Sequence, residues 1–228
     1  MTAVNVEPGR SGESWDTCPR LAAGDDFDFA CAGCGDCCRK RRDLVLSGYD
    51  LYRIARRLNL SPRIVAAAFC KSYVAETTCL PALRLTPDPK TGNCRFFEGS
   101  ACAIHAARPL ACALYPLGQC IDTVTTRTEY YVQTPLCGVR AGEGRTLQNY
   151  LDDAAVTDRA GTDARWAIVC TQISHKLQAA GGAANPHFSA AVKRIERALY
   201  YDYSLRDEFY PQFCQNVDVL MPLLDRIL

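Results

Sequence analysis

The sequence predicts an α+β fold, with a small cysteine-rich module of short strands and hairpins followed by an all-helical C-terminal half. Three observations predict it. Cys31-Ala32-Gly33-Cys34-Gly35-Asp36-Cys37-Cys38 places four thiols within eight residues, spaced C-x2-C-x2-C-C. Between residues 27 and 134, short apolar runs are broken by Gly, Pro, Asn and Asp, the residues that turn chains. After Gly144 the apolar residues recur at helical spacing, and only two of the fourteen cysteines remain. The expected divisions are a flexible N-terminal arm over 1–26, a cysteine-cluster module over 27–140 and a helical subdomain over 141–228.

The arm is polar, with Pro8, Gly9, Gly12, Pro19 and Gly24 and no periodicity, so it is expected to be loose. Cys18 lies in it and is not counted with the cluster. Phe27-Asp28-Phe29-Ala30 alternates and reads as a short strand, with Leu44-Val45-Leu46 as its partner. Ser47 with Asp50 three residues on is a capping-box pattern, and Leu51, Ile54, Ala55 and Leu58 continue a helix to about Leu58. Ser61-Pro62 restarts a helix over roughly 62–73, carrying Val65, Ala68 and Phe69 with Cys70 as a core thiol. Leu83-Arg84-Leu85 is a strand, and Asp88 to Asn93 is turn chemistry.

Cys94 and Cys102 flank a Glu98-Gly99-Ser100 turn, so a hairpin brings them to one end of a ribbon. Arg108-Pro109 starts a short turn or helix that presents Cys112, and Pro116 closes it. Residues 119–134 read as a hairpin, and Cys137-Gly138 as a loop thiol. Thr146 caps a helix with Leu147, Tyr150 and Leu151. Further helices cover about 161–179, ending at Gly181-Gly182, a stretch from Pro186 with Val192, Ile195 and Leu199, and about 208–227. Cys170 falls on an apolar helical face and reads as core. His175 and His187 are isolated.

Composition sets the class. With 228 residues, 48% hydrophobic, 22% charged and a net charge of +1, the chain is expected to be soluble and globular, with no general affinity for nucleic acid. No basic start leads into an apolar run, and no stretch approaches the roughly 18 apolar residues of a membrane span. A cytoplasmic location and no membrane partner are therefore expected. In a reducing compartment, thiols at this density point to metal rather than to disulfides. A C-x2-C turn is short enough to converge two sulfurs on one ion, and Gly33 and Gly35 supply the left-handed backbone it needs. Arg39-Lys40-Arg41-Arg42 follows at once. Four thiolates around Zn2+ leave a net −2, which these cations would offset; the other readings are a solvated loop or contact with an acidic partner.

Read together, C-x2-C-G-x-C-C, then G-x-C-x-F, then C-x-I-H-x-x-R-P-x-x-C-x-x-Y-P, then C-G resembles the zinc- or iron-chelating CxxCxxCC cysteine-cluster family (YkgJ type). The matching positions are Cys31, Cys34, Gly35, Cys37, Cys38, Gly92, Cys94, Phe96, Cys102, Ile104, Arg108, Pro109, Cys112, Tyr115, Pro116 and Cys137. His105 stands where the family pattern has Tyr. The resemblance covers about 27–140 and implies that Cys31, Cys34, Cys37, Cys38, Cys94, Cys102, Cys112 and Cys137 hold metal. A related group, the flagellin lysine N-methylases, implies an iron–sulfur cluster and methyl transfer from S-adenosylmethionine to a protein or small amine substrate. No glycine-rich nucleotide fingerprint accompanies it.

Eight thiols suit two zinc sites, one four-iron cluster with thiols to spare, or two clusters. Three closely spaced thiols fit three corners of a cubane better than a tetrahedron around one ion, so iron–sulfur is the preferred reading and zinc the alternative. Arg108, fixed by Pro109, is either a cofactor-binding cation for a donor carboxylate or a hydrogen-bonded support for the cluster loop. An S-adenosylmethionine-dependent methyltransferase is thus weighed against a structural zinc module and an iron–sulfur redox protein.

Overall fold

The computed structural model describes residues 17–39 and 44–228. The start of the arm, and Lys40, Arg41 and Arg42 of the basic run, lie outside the described residues. The architecture is α+β, as the sequence predicts. Three small antiparallel sheets accompany seven α-helices among the described residues. In the first sheet β1 (Arg20–Leu21) pairs with β8 (Thr128–Val132), which pairs with β7 (Leu117–Ile121). In the second, β4 (Pro81–Leu85) lies between β2 (Val45–Leu46) and β3 (Cys70–Val74). The third is the hairpin of β5 (Phe97–Glu98) and β6 (Ala101–Cys102).

Local signals set the helix starts. In α1 (Gly48–Leu58) the Asp50 amide donates to Ser47 Oγ and the Ser47 amide donates to Asp50 Oδ2, both at 3.1 Å. Asn59, at φ 54°, ends the helix in the left-handed region. Ser61 caps α2 (Pro62–Phe69), with Pro62 at its first position. This helix stops short of the expected residue 73, because Cys70–Val74 instead forms a full antiparallel ladder with β4, Cys70 opposite Leu85 and Val74 opposite Pro81. A neighbouring strand overrides the local pattern there.

Two other expectations change. Phe27–Ala30 is not a strand beside Leu44–Leu46. Asp26 and Ala30 form single bridges to Thr146 and Val139, while Val45 and Leu46 face Arg84 and Leu83. The alternation reflects burial, since Phe27 and Phe29 both enter a core. Residues 17–26 are tied down too: Arg20 and Leu21 pair with Tyr131 and Tyr130, and Cys18 is buried.

The C-terminal half carries α4 (Leu147–Asp153), α5 (Ala160–Ala179), α6 (Phe188–Glu196) and α7 (Phe209–Ile227), with a π-turn over Arg197–Tyr201. Phe209, Phe213, Val217, Leu220 and Leu224 form the buried stripe of α7, each side chain stabilising the fold by about 1.5–3 kcal/mol. The larger core joins this stripe to Val169, Ile173 and Leu177 of α5, to α1, and to Leu83 of β4. It also takes in Phe96 and Ile104, with Cys94, Cys102 and Cys112 packed at its margin. Gly48 lets α1 approach closely, because a Cβ there would stand 2.0 Å from the Leu199 carbonyl oxygen. A smaller core gathers Phe27, Phe29, Leu114, Leu117, Leu147 and Tyr150. No helix among the described residues is long and apolar enough to cross a membrane.

Candidate metal centre

The cysteine loop turns on its glycines. Gly33 and Gly35 sit at φ 65° and 74°, and a 3-10 turn over Asp36–Cys38 follows, closed by the Cys38 amide donating to the Gly35 carbonyl at 2.9 Å. Cys31 and Cys34 are exposed; Cys37 and Cys38 are half-buried. Three connections bring distant thiols to this loop. The Cys94 amide donates to the Cys38 carbonyl at 2.8 Å. The β5–β6 hairpin forms around the expected turn, but it sets Cys102 opposite Phe97, while Cys94 precedes its first strand and bridges Pro87. Ala30 and Val139 exchange amide–carbonyl bonds of 2.9 and 3.0 Å, which places Cys137 beside the start of the loop.

The thiols act on one another. Cys38 is pushed far above the ordinary thiol value, first by its hydrogen bond with Cys37, then by burial and by the charges of Cys37, Cys94 and Cys102. Burial chiefly raises Cys102, with Cys94 and Cys37 adding to it and the Ile104 amide and Arg108 opposing. Burial also pushes Cys137 up to about 11, helped by its hydrogen bond to Cys34 and opposed by the Tyr115 hydroxyl. Buried Tyr150 is raised mainly by desolvation and senses Arg108, Cys31 and Cys37. Cys34, Cys37, Cys38, Cys94, Cys102 and Cys137 thereby act on one another, with Cys37 common to the three shifted thiols, while Cys31 joins them only through its effect on Tyr150. Cys112 stands on α3 (Leu110–Leu114), half-buried against the same core margin as Cys94 and Cys102.

Among the described residues, no three His, Cys, Asp or Glu side chains already stand in metal-holding geometry. The donor set itself fits a thiophilic metal. Protonated thiols that raise one another's pKa would be stabilised as thiolates by a shared cation, and sulfur donors suit zinc and iron–sulfur centres. The thiols read as core differ in surroundings: burial alone pushes both Cys70 and Cys170 up to about 12. His175 and His187 are exposed. His105 accepts from the Arg108 guanidinium, 2.9 Å from its Nε2, and burial, then Arg108, holds its pKa below the usual imidazole value.

Arg108 is itself held, its carbonyl accepting from Arg53 at 3.4 Å. Sequence reasoning missed the supports around it. Tyr150 donates to the carbonyls of Ala113 and Tyr115 at 3.0 and 2.6 Å, and the Tyr115 hydroxyl accepts from the Leu136 amide at 2.7 Å. It also missed a buried charge cluster. Arg159, 2% exposed, forks onto Asp163 at 2.7 and 2.9 Å and lies 2.8 Å from Asp50 Oδ1. The same Asp50 oxygen accepts the Leu110 amide at 3.0 Å. The capping box was the sole signal for Asp50, and nothing local marks Arg159.

Residues 30–138 match the family model described as "CxxCxxCC: Putative zinc- or iron-chelating domain". No curated protein and no solved structure matches the chain. Residues 30–138 are thus similar to the CxxCxxCC zinc- or iron-chelating domain, a match that supports a metal-binding cysteine-cluster protein.

Proposed function

We propose that the chain carries an iron–sulfur cluster held by thiols drawn from Cys31, Cys34, Cys37, Cys38, Cys94, Cys102, Cys112 and Cys137, with zinc as the alternative metal. The observation that carries this reading is that six thiols, Cys34, Cys37, Cys38, Cys94, Cys102 and Cys137, act on one another beside the Cys31–Cys38 loop. One tetrahedral zinc site uses four thiolates, so six exceed it, and the Cys31–Cys34–Cys37 run suits a cubane. A bound cluster would supply electron transfer or, through an open iron site, Lewis acidity. The chain's own part is to gather the thiols, to roof the loop with Phe97 and to keep Tyr115 and Arg108 beside it. Thiols kept reduced for metal fit a cytoplasmic location.

Methyl transfer from S-adenosylmethionine is the finer reading. One feature favours it, a cleft of about 660 Å3 beside Cys94, lined by Arg39, Lys90, Arg95, Phe69 and Phe97. The cleft is roomy enough for such a donor. Arg39, Lys90 and Arg95 suit the donor's carboxylate and outnumber Asp88 in opposing its sulfonium, so metal binding stands first. Protein purified without oxygen is expected to be brown and to hold iron and acid-labile sulfide. Colourless protein with stoichiometric zinc would replace iron by zinc, and protein without either metal would refute the reading. Calorimetry of the loaded protein with S-adenosylmethionine, then label transfer to proteins and amines, tests the methyltransferase reading; neither binding nor transfer would leave a structural or redox metal protein.

A further inference from the structure

We propose that Asp50, Arg53 and Arg159 are positioning residues for Cys112, so that the helical half beyond the matched domain helps to set the metal centre. This rests on the reading of Cys112 as a metal ligand. The helix that carries Cys112 is a single short turn, Leu110–Leu114, with too few internal hydrogen bonds to fix its own direction. Helix α1 supplies what it lacks. Arg53 donates to the Ala106 carbonyl at 2.8 Å and to the Arg108 carbonyl at 3.4 Å, and Asp50 Oδ1 accepts the Leu110 amide at 3.0 Å. Three bonds from one helix therefore fix residues 106–110, immediately before Cys112.

Asp50 is 3% exposed, and its other oxygen is taken by the Ser47 amide at 3.1 Å. A carboxylate this deeply buried holds its place only with a countercharge. Arg159 provides it at 2.8 Å, stacked over the Tyr49 ring at 5.1 Å and held from behind by Asp163, which is 5% exposed. Arg159 and Asp163 lie outside residues 30–138. A buried ion cluster contributes little net stability compared with apolar packing of similar volume, but it fixes direction. What it fixes here is the amide two residues before a ligand thiol.

The test uses full-length protein loaded with zinc, and reads the rate and equilibrium of zinc transfer to a chromophoric chelator while circular dichroism monitors the fold. Groups that orient metal ligands change affinity by roughly 10–100-fold when removed. Arg159→Gln is expected to weaken zinc by that range, and Asp50→Asn, which keeps the acceptor for Leu110 but drops the charge, by less. Cys112→Ser with Arg159→Gln is expected to be no weaker than Cys112→Ser alone, since both act through one ligand. Leu224→Ala, in α7 and party to none of these hydrogen bonds, is expected to lower the melting temperature without moving the transfer equilibrium. Should Arg159→Gln fail to fold, Arg53→Ala at a half-exposed side chain reads the same equilibrium. Wild-type affinity in the folded positioning variants, with Cys112→Ser weakened, would overturn the inference. Wild-type affinity in Cys112→Ser would overturn the ligand reading beneath it.

Discussion

Gly35 and Gly33 offer a paired measurement of how the cysteine loop is held. Both sit at positive φ, 74° and 65°. Alanine at either position is expected to meet the same backbone penalty, about 1–2 kcal/mol for the left-handed region. Their surroundings differ. A Cβ at Gly33 meets nothing within 4 Å, whereas one at Gly35 would stand 2.1 Å from Phe97 Cε2 and 2.6 Å from Cζ. The Phe97 ring is half-buried, and turning it aside would give up the Arg39 guanidinium 5.1 Å over it. Forcing the ring aside adds about 1–3 kcal/mol. Gly33→Ala is thus expected to weaken metal binding by about 5–30-fold, and Gly35→Ala by a further 5–150-fold, at 1.4 kcal/mol per tenfold. Competition with a chelator measures both. Phe97→Ala in the Gly35→Ala background removes the obstacle and is expected to recover part of the difference. Equal losses in the two glycine variants would show that Phe97 does not roof the loop.

Other consequences can be measured alongside. Cys34→Ser is expected to lose metal while Cys18→Ser, at a buried thiol outside the cluster, keeps it; metal analysis decides, and equal losses would refute the division of thiols. Cys70 and Cys170 hold their protons more tightly folded, at about 12 against 9.0, so their stabilisation is complete below pH 9 and is lost as pH rises from 9 towards 12. Denaturant midpoints across that window should fall, and fall less in a Cys70→Ala, Cys170→Ala double variant. Chelation is expected to speed amide exchange in residues 31–38 and 134–138 while α1, α5 and α7 stay protected, and uniform loss of protection would refute a local role for the metal.

The parts legible in the sequence are those with local causes. Ser47 and Asp50 announced α1 because a capping box is complete within four residues. The stripe from Phe209 to Leu224 announced α7 because every member falls at helical spacing. The turn at Glu98-Gly99-Ser100 is also local, and it makes the hairpin that holds Cys102, although Cys94 falls outside that ladder. Non-local causes left no such mark. The break after Phe69 depends on β4, and the ordering of Arg20–Leu21 depends on Tyr130 and Tyr131, far along the chain. Asp50 illustrates both cases. Its cap is written in its neighbours, but its bond to Leu110 spans 60 residues and its countercharge is farther still.

The cores also bear on what the metal does for this chain. From composition alone, stretches such as 27–42 and 92–138 look too poor in apolar residues to order themselves, which would make metal a condition of folding. The structure gives those stretches partners elsewhere. Phe96 and Ile104 are buried in the larger core with α5 and α7, and Phe27 and Phe29 are buried with Leu147 and Tyr150 of α4. Burying a Phe or Ile side chain contributes about 1.5–3 kcal/mol, so these anchors rival the cost of ordering the few residues on either side of each. They do not reach Cys31 and Cys34, which are exposed and lie on glycine-rich backbone. Metal binding is therefore needed most where apolar anchoring ends, in the loop from Cys31 to Cys38 and its neighbour at Cys137. The helices keep the remaining thiols in place to receive it.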